Sequence, residues 1–189
     1  MTSLKTKRLI LRPWNQEDFE PFAQLNADSR MMEYFPALLT KAESNERAKT
    51  NKKKIEDDGW GKWAVSIQGS KEFIGMIGLF KLEKKTFQVP FCPAIAVVWN
   101  IAVEHWGKGY ATEGAKAAIE YAFQTLEFEE IVAFTVPQNA RSRRVMEKIG
   151  MRYDPKDDFH HPNIPAENRF SRQVLYRISK IEWQNQLRS

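Results

Sequence analysis

One cysteine, Cys92, stands in a chain of 189 residues. No internal disulfide is therefore open to it, and a reducing compartment suits it. No apolar run approaches the roughly 20 residues of a membrane-spanning helix. The N-terminal stretch MTSLKTKRLILRP is basic, but its apolar part, Leu9 to Leu11, is too short for a secretory signal. A cytoplasmic location is expected. Internal repeats, low-complexity segments, a Ser-His-Asp or Cys-His nucleophile signature and a metal-ligand cluster are all missing. So are the nucleotide motifs. A Walker loop needs Ser or Thr after Gly-Lys, and a dinucleotide fingerprint needs a third glycine that Gly107 and Gly109 do not have. The net charge of +5 is modest, and no direct nucleic-acid contact is expected.

What is present is a core. With 42% hydrophobic residues, the chain is expected to form one domain over 1–189, with its core at about 8–180. Patterning predicts strands at 8–12, 62–68, 73–81, 95–103, 131–136 and 172–179, and helices at 16–28, 40–58, 111–126 and 139–149. The 40–58 helix carries Lys52, Lys53 and Lys54 and reads as a solvated face. Residues 154–171 read as a long loop, the kind that often carries function.

The most informative segment is Glu-His-Trp-Gly-Lys-Gly-Tyr-Ala at 104–111. It follows the apolar run Ile95 to Val103, which reads as a strand buried on both faces. It precedes a helix whose Ala111, Ala115, Ala118, Ile119, Ala122 and Leu126 share one face. Gly107 and Gly109 permit positive φ, and Glu113 suits a helix N-terminus. The arrangement lets backbone N–H groups hold a phosphate. The alternative is a glycine-rich turn with no ligand. Further on, Asn139 is a good N-cap, Ser142 falls at N3 and Gly150 is a good C′ residue.

WGKGYATEGAKAAIEYAF followed by PQNARSRRVMEKIGMRY resembles the acetyl-CoA-binding core of the GNAT N-acetyltransferases. Within that superfamily the chain is most similar to the ribosomal-protein N-acetyltransferase (Rim-like) branch. RLILRPWNQEDFEPF, FIGMIGLF and RQVLYRIS extend the likeness over about residues 8 to 180. The resemblance implies an α/β (α+β) GNAT fold, a mixed, mostly antiparallel sheet flanked by helices, with strands 95–103 and 131–136 splayed around acetyl-CoA. It implies direct transfer of acetyl from acetyl-CoA to a primary amine, without an acyl-enzyme. The cofactor would meet backbone at Ile101, Ala102 and Val103. Its pyrophosphate would lie on Trp106, Gly107, Lys108, Gly109, Tyr110, Ala111 and Thr112. Asn139 would meet the pantetheine region, and one of Arg141, Arg143 and Arg144, with Arg144 preferred, a CoA phosphate; the bland reading leaves all three exposed.

Two residues depart from the family pattern. Met146 stands where many members carry a tyrosine acid, and Ala96 where relatives often carry a glutamate base. Ser142 is then either the proton donor to the thiolate, as the branch resemblance implies, or only part of the cap. The base must come from Glu33, Asp157, Asp158, His160, His161 or water. His161 is preferred because Asp158, Phe159, His161 and Pro162 match the family's loop, though a loop histidine is often a structural hydrogen-bonder. Acceptor-side candidates are Tyr34, Phe35 and Trp14, each of which also suits a core. An α-amine has a pKa near 7.7–8.0 against about 10.4 for lysine, so a chain lacking a strong base leans to a peptide N-terminus. A small-molecule amine, or a CoA-binding module without catalysis, is the alternative. The expected partners are acetyl-CoA and an amine, with a homodimer admitted and no membrane.

Overall fold

The computed structural model describes residues 2–188. Chain contacts group into two compact units, each built from two segments: Met1–Leu79 with Val98–Ala118, and Phe80–Val97 with Ile119–Ser189.

In the first unit, β1 (Leu4–Lys5), β2 (Leu9–Arg12), β3 (Lys62–Ile67) and β4 (Phe73–Leu82) pair in that order, all antiparallel. The helices are α1 (Phe19–Ala27) and α2 (Lys41–Asp58). A capping box between Thr40 and Glu43 starts α2, and Gly59 at φ +77° stops it. The two helices meet at a buried hydrogen bond from Asn26 to Ser44, 2.8 Å. The outer side of α2 is solvated as expected, with Lys49–Glu46 and Lys53–Asp57 ion pairs.

β5 (Ala94–Ile101) and α3 (Tyr110–Gln124) contribute residues to both units. Val98, Trp99 and Asn100 are only half-buried, so β5 is not covered on both faces as its apolarity suggested. α3 buries Ala115, Ala118, Ile119 and Ala122 as the spacing predicts, but Ala111 is only half-buried and Leu126, also half-buried, lies beyond the end of the helix. A Cβ on Gly114 would come within 2.4 Å of the Ile77 side chain, so this helix lies very close on the sheet. Gly114→Leu is expected to lower stability by about 1–3 kcal/mol through overpacking; thermal unfolding checks this, and an unchanged Tm would refute the close packing.

In the second unit β6 (Glu130–Thr135) pairs with β5 in parallel, at Ala96 opposite Val132. β6 also pairs antiparallel with β9 (Arg172–Ser179), and β9 takes β7 (Arg152–Tyr153) and β8 (Phe159–His160). The helices are α4 (Ala140–Lys148) and α5 (Lys180–Gln186), the latter opened by a Ser179–Glu182 capping box. The sheet is thus mixed and mostly antiparallel. Leu82, Phe87, Val89, Cys92, Ala96, Val132, Phe159 and Leu175 form a core of this unit, where burial pushes the Cys92 thiol up. The segment 154–171 is not one open loop. It holds a 3-10 turn at Pro155–Asp157 and the strand β8.

Candidate active site

β5 ends at Ile101, and a 3-10 turn, Val103–His105, leads into the glycine segment. Trp106 closes the entry. Its backbone N–H donates to the Val103 carbonyl at 3.1 Å, and its indole N–H to the Ile101 carbonyl at 2.7 Å. Gly107 and Gly109 adopt φ of +74° and +80°, which side chains reach only with strain. A Cβ on Gly107 would meet nothing within 4 Å, so glycine there serves the backbone conformation and not packing. The first intrahelical bond of α3 runs from Glu113 N–H to the Gly109 carbonyl, 3.0 Å. The N–H groups of Tyr110, Ala111 and Thr112 precede it and have no intrahelical acceptor. Donors at the positive end of a helix dipole, behind two glycines of positive φ, fit a pyrophosphate. The segment also holds a buried His105 Nδ1 without a hydrogen-bond partner among the described residues. Lys108 is exposed at the tip of the turn.

Ala102 departs from expectation. Its N–H already donates to the Ile74 carbonyl at 2.9 Å, so it is spent inside the sheet and not offered to a ligand. Ile101 is buried and Val103 half-buried.

Sequence reading missed the groups that hold the turn from behind. Glu113 accepts from Thr6 Oγ1 at 2.6 Å, from Arg8 N–H at 2.7 Å and from Arg8 Nε at 2.6 Å. Burial alone would raise this carboxyl, but the hydrogen bonds from Thr6 and Arg8 outweigh it and hold Glu113 below the usual range. A basic residue ahead of a strand reads as solvated charge, so the only earlier signal was Glu113 in the first turn of a helix.

In the second unit the Asn139 side chain uses both of its N–H donors and one acceptor site. Its Oδ1 accepts from Ser142 N–H at 3.1 Å, while its Nδ2 donates to Thr135 Oγ1 at 3.0 Å and to Ser142 Oγ at 3.1 Å. The cap expected at Asn139 is present. The contact from Nδ2 uses a lone pair of the Ser142 oxygen and leaves the hydroxyl proton for another acceptor. Met146 is 2% exposed and belongs to the core. Of the three arginines, Arg141 and Arg144 are exposed, but Arg143 is not. It donates to the Tyr176 hydroxyl at 3.1 Å and to the Pro137 carbonyl at 3.3 Å, so it is structural.

The carboxylates weighed as bases in the 154–158 segment are ion-paired, although Asp158 Oδ1 is buried without a hydrogen-bond partner among the described residues. Asp157 pairs with Arg177 at 2.7 Å, and Asp158 with Arg172 at 2.9 Å and the Tyr153 hydroxyl at 3.3 Å. His160 Nδ1 lies 3.0 Å from Ser171 Oγ. His161 lies edge-on to Phe87 and Phe134, at 5.0 and 6.2 Å between ring centroids. Burial lowers its pKa, so the ring is neutral at pH 7. Its Nδ1 accepts the Asn163 N–H at 3.2 Å, and a neutral ring then carries its proton on Nε2. As folded, His161 offers a donor.

On the acceptor side in the first unit, Trp14 is in the core. It is 2% exposed, packs edge-on against Phe22 and at a tilt against Phe73, and donates its indole N–H to the Lys62 carbonyl at 2.6 Å. Phe35 is exposed and Tyr34 half-buried, on the turn that follows α1. The same turn holds Asp28, whose carboxyl the Arg30 guanidinium lowers to about 2.

An acetyltransferase (GNAT) domain model matches residues 8–152. The uncharacterized N-acetyltransferase YnaD of Bacillus subtilis (strain 168) is 31% identical over 181 residues, covering 95% of this chain and 98% of its own. The solved GNAT-family acetyltransferase of Bacillus anthracis superposes with a TM-score of 0.78 at 26% identity, over 95% of this chain and 99% of that one. A spermidine N-acetyltransferase of Vibrio cholerae, solved with CoA and spermine, shares the fold at a TM-score of 0.71 and 21% identity, over 94% and 98% of the two chains. The phosphate-type turn opening α3, the Asn-capped α4 and these likenesses agree: the chain belongs to the GNAT family and is an acetyl-CoA-dependent N-acetyltransferase.

Proposed function

We propose that this enzyme acetylates the α-amine of a peptide or protein N-terminus, in the manner of the Rim-like branch it resembles. Ala96 carries the argument. The position often held by a glutamate base is an alanine, 1% exposed, opposite Val132 in the sheet and in the same core cluster as Leu175, so it supplies no carboxylate. An acceptor that is already partly neutral needs least help. Near pH 7 roughly a tenth of α-amines are unprotonated, against under a thousandth of lysine side chains.

Bound acetyl-CoA would supply the activated acetyl group. Residues 106–112 would hold its pyrophosphate, Asn139 would lie along its pantetheine region and Arg144 would reach a phosphate. Ser142 hands a proton to the departing sulfur. Ile101 and Val103 border the thioester through backbone. His161 orients the acceptor from Nε2, and water takes the amine proton. Tyr34 and Phe35 line the acceptor entrance.

A small-amine acceptor is the second reading, supported by the name of the Vibrio cholerae neighbour. A polycation calls for unpaired carboxylates, and here Asp28, Asp157 and Asp158 are each matched by an arginine. A screen of acetyl transfer to N-terminal peptides, spermidine and lysine side-chain amines separates the readings. The expected ranking puts peptide N-termini first; a kcat/KM for spermidine above every peptide would overturn it.

A further inference from the structure

The Arg8 guanidinium is held on three sides. Nε bonds to Glu113 Oε2, Nη1 donates to the Lys108 carbonyl at 2.9 Å, and the guanidinium carbon lies 4.8 Å from the centre of the Tyr110 ring. All three partners belong to the glycine turn or to the first turn of α3. Nη2 takes part in none of these bonds. It lies beside Gly109, 3.4 Å from where a Cβ would stand. Glu113 is 18% exposed at its side chain and Arg8 43%, so the carboxylate lies behind the guanidinium.

This arrangement has an electrostatic purpose. A bare carboxylate in the first turn of α3 would compete with a phosphate for the helix's positive end. Three hydrogen bonds and one full positive charge satisfy Glu113. Two of the five guanidinium hydrogens are used in the bonds named, which leaves one on Nη1 and both on Nη2, the two nitrogens that bound the Nη1–Nη2 edge. That planar edge matches a pair of phosphate oxygens, and stacking on Tyr110 removes its freedom in advance.

We propose that Arg8 is a cofactor-binding residue, its Nη1–Nη2 edge completing the pyrophosphate cradle of residues 107–112 while its Nε side neutralises Glu113. The inference rests on the reading of 106–112 as the pyrophosphate turn. Thr6 and Glu113 are positioning residues, acting only through Arg8 and the turn.

Calorimetry on the full chain tests it, with CoA and with pantetheine, which has no pyrophosphate. Arg8→Gln is expected to weaken CoA roughly 10- to 100-fold, the size of a lost charge-assisted pair of bonds, and to leave pantetheine unchanged. The double variant Arg8→Gln with Glu113→Gln removes the carboxylate that the single variant leaves unpaired. It should remain as weak toward CoA as the single variant. Recovery of wild-type affinity in the double variant would mean that Arg8 merely neutralises Glu113, and would overturn the proposal. An equal loss for pantetheine would overturn it too, by showing general damage. Arg8→Lys keeps the charge without the fork, so it guards against misfolding and should recover part of the affinity. A fold-intact Arg8→Lys at wild-type strength would reject the bidentate contact. If Gly109→Val abolishes CoA binding while the double variant binds normally, the turn stands and only the role of Arg8 fails.

Discussion

Ser142→Ala is expected to lower kcat by about 10²-fold or more, the usual contribution of a positioned proton donor, while the Kd for CoA stays within about twofold. The geometry separates this chemistry from the helix cap. Asn139 Oδ1 bonds the backbone N–H of residue 142, which alanine retains, so the cap survives the substitution. What is lost is the hydroxyl that Asn139 Nδ2 aligns. Leaving Nδ2 with only Thr135 costs about 0.5–1.5 kcal/mol of stability, too little to unfold a domain of this size. Steady-state kinetics with the amine found by the acceptor screen, beside calorimetry, check the split. Wild-type kcat would reduce Ser142 to a capping residue.

Gly109→Val is expected to weaken CoA by more than tenfold without unfolding the chain. Its φ of +80° strains any side chain, by on the order of 1–3 kcal/mol, and a β-branched one most. The turn escapes by abandoning the left-handed conformation, which swings the N–H groups at the start of α3 off their common target. Gly69, in the turn between β3 and β4, is the control. Its φ of +81° carries the same penalty with open space around it, and Gly69→Val should leave CoA affinity alone. Equal affinity for CoA in wild type and Gly109→Val would remove the pyrophosphate from this turn.

Legibility in the sequence followed the range of the interactions. α2 was readable because Thr40, Glu43 and Gly59 punctuate it locally, and β9 because RQVLYRIS is long and holds the strand formers Val174, Leu175, Tyr176 and Ile178. α5 was missed. It is short and mostly polar, and only its Ser179–Glu182 box marks it. β7 and β8 are two residues each, too brief for any pattern, and exist only because β9 offers them an edge. At the site, the glycines and the Asn139 cap are local features and were legible. The pairings that decide what the side chains do were not. Arg143 finds Tyr176 across 33 residues of sequence, and Arg8 finds Glu113 across 105. Even the tautomer of His161 hangs on the conformation that aims Asn163 N–H back at its ring. Trp14 shows the reverse error. Its residue type suited a pocket, yet the indole is one of the core's internal fasteners.

The single thiol gives this enzyme a built-in gauge of its own breathing. Cys92 is 4% exposed among Phe87, Val89 and Leu82, and burial keeps it in the unreactive protonated form. A thiol reagent therefore labels the chain only during moments when that packing opens. The ratio of its labelling rate to that of a free thiol reports the opening free energy of this part of the molecule under native conditions. With no second cysteine to confuse the signal, the same reading taken with and without CoA would show how far cofactor binding quiets this core.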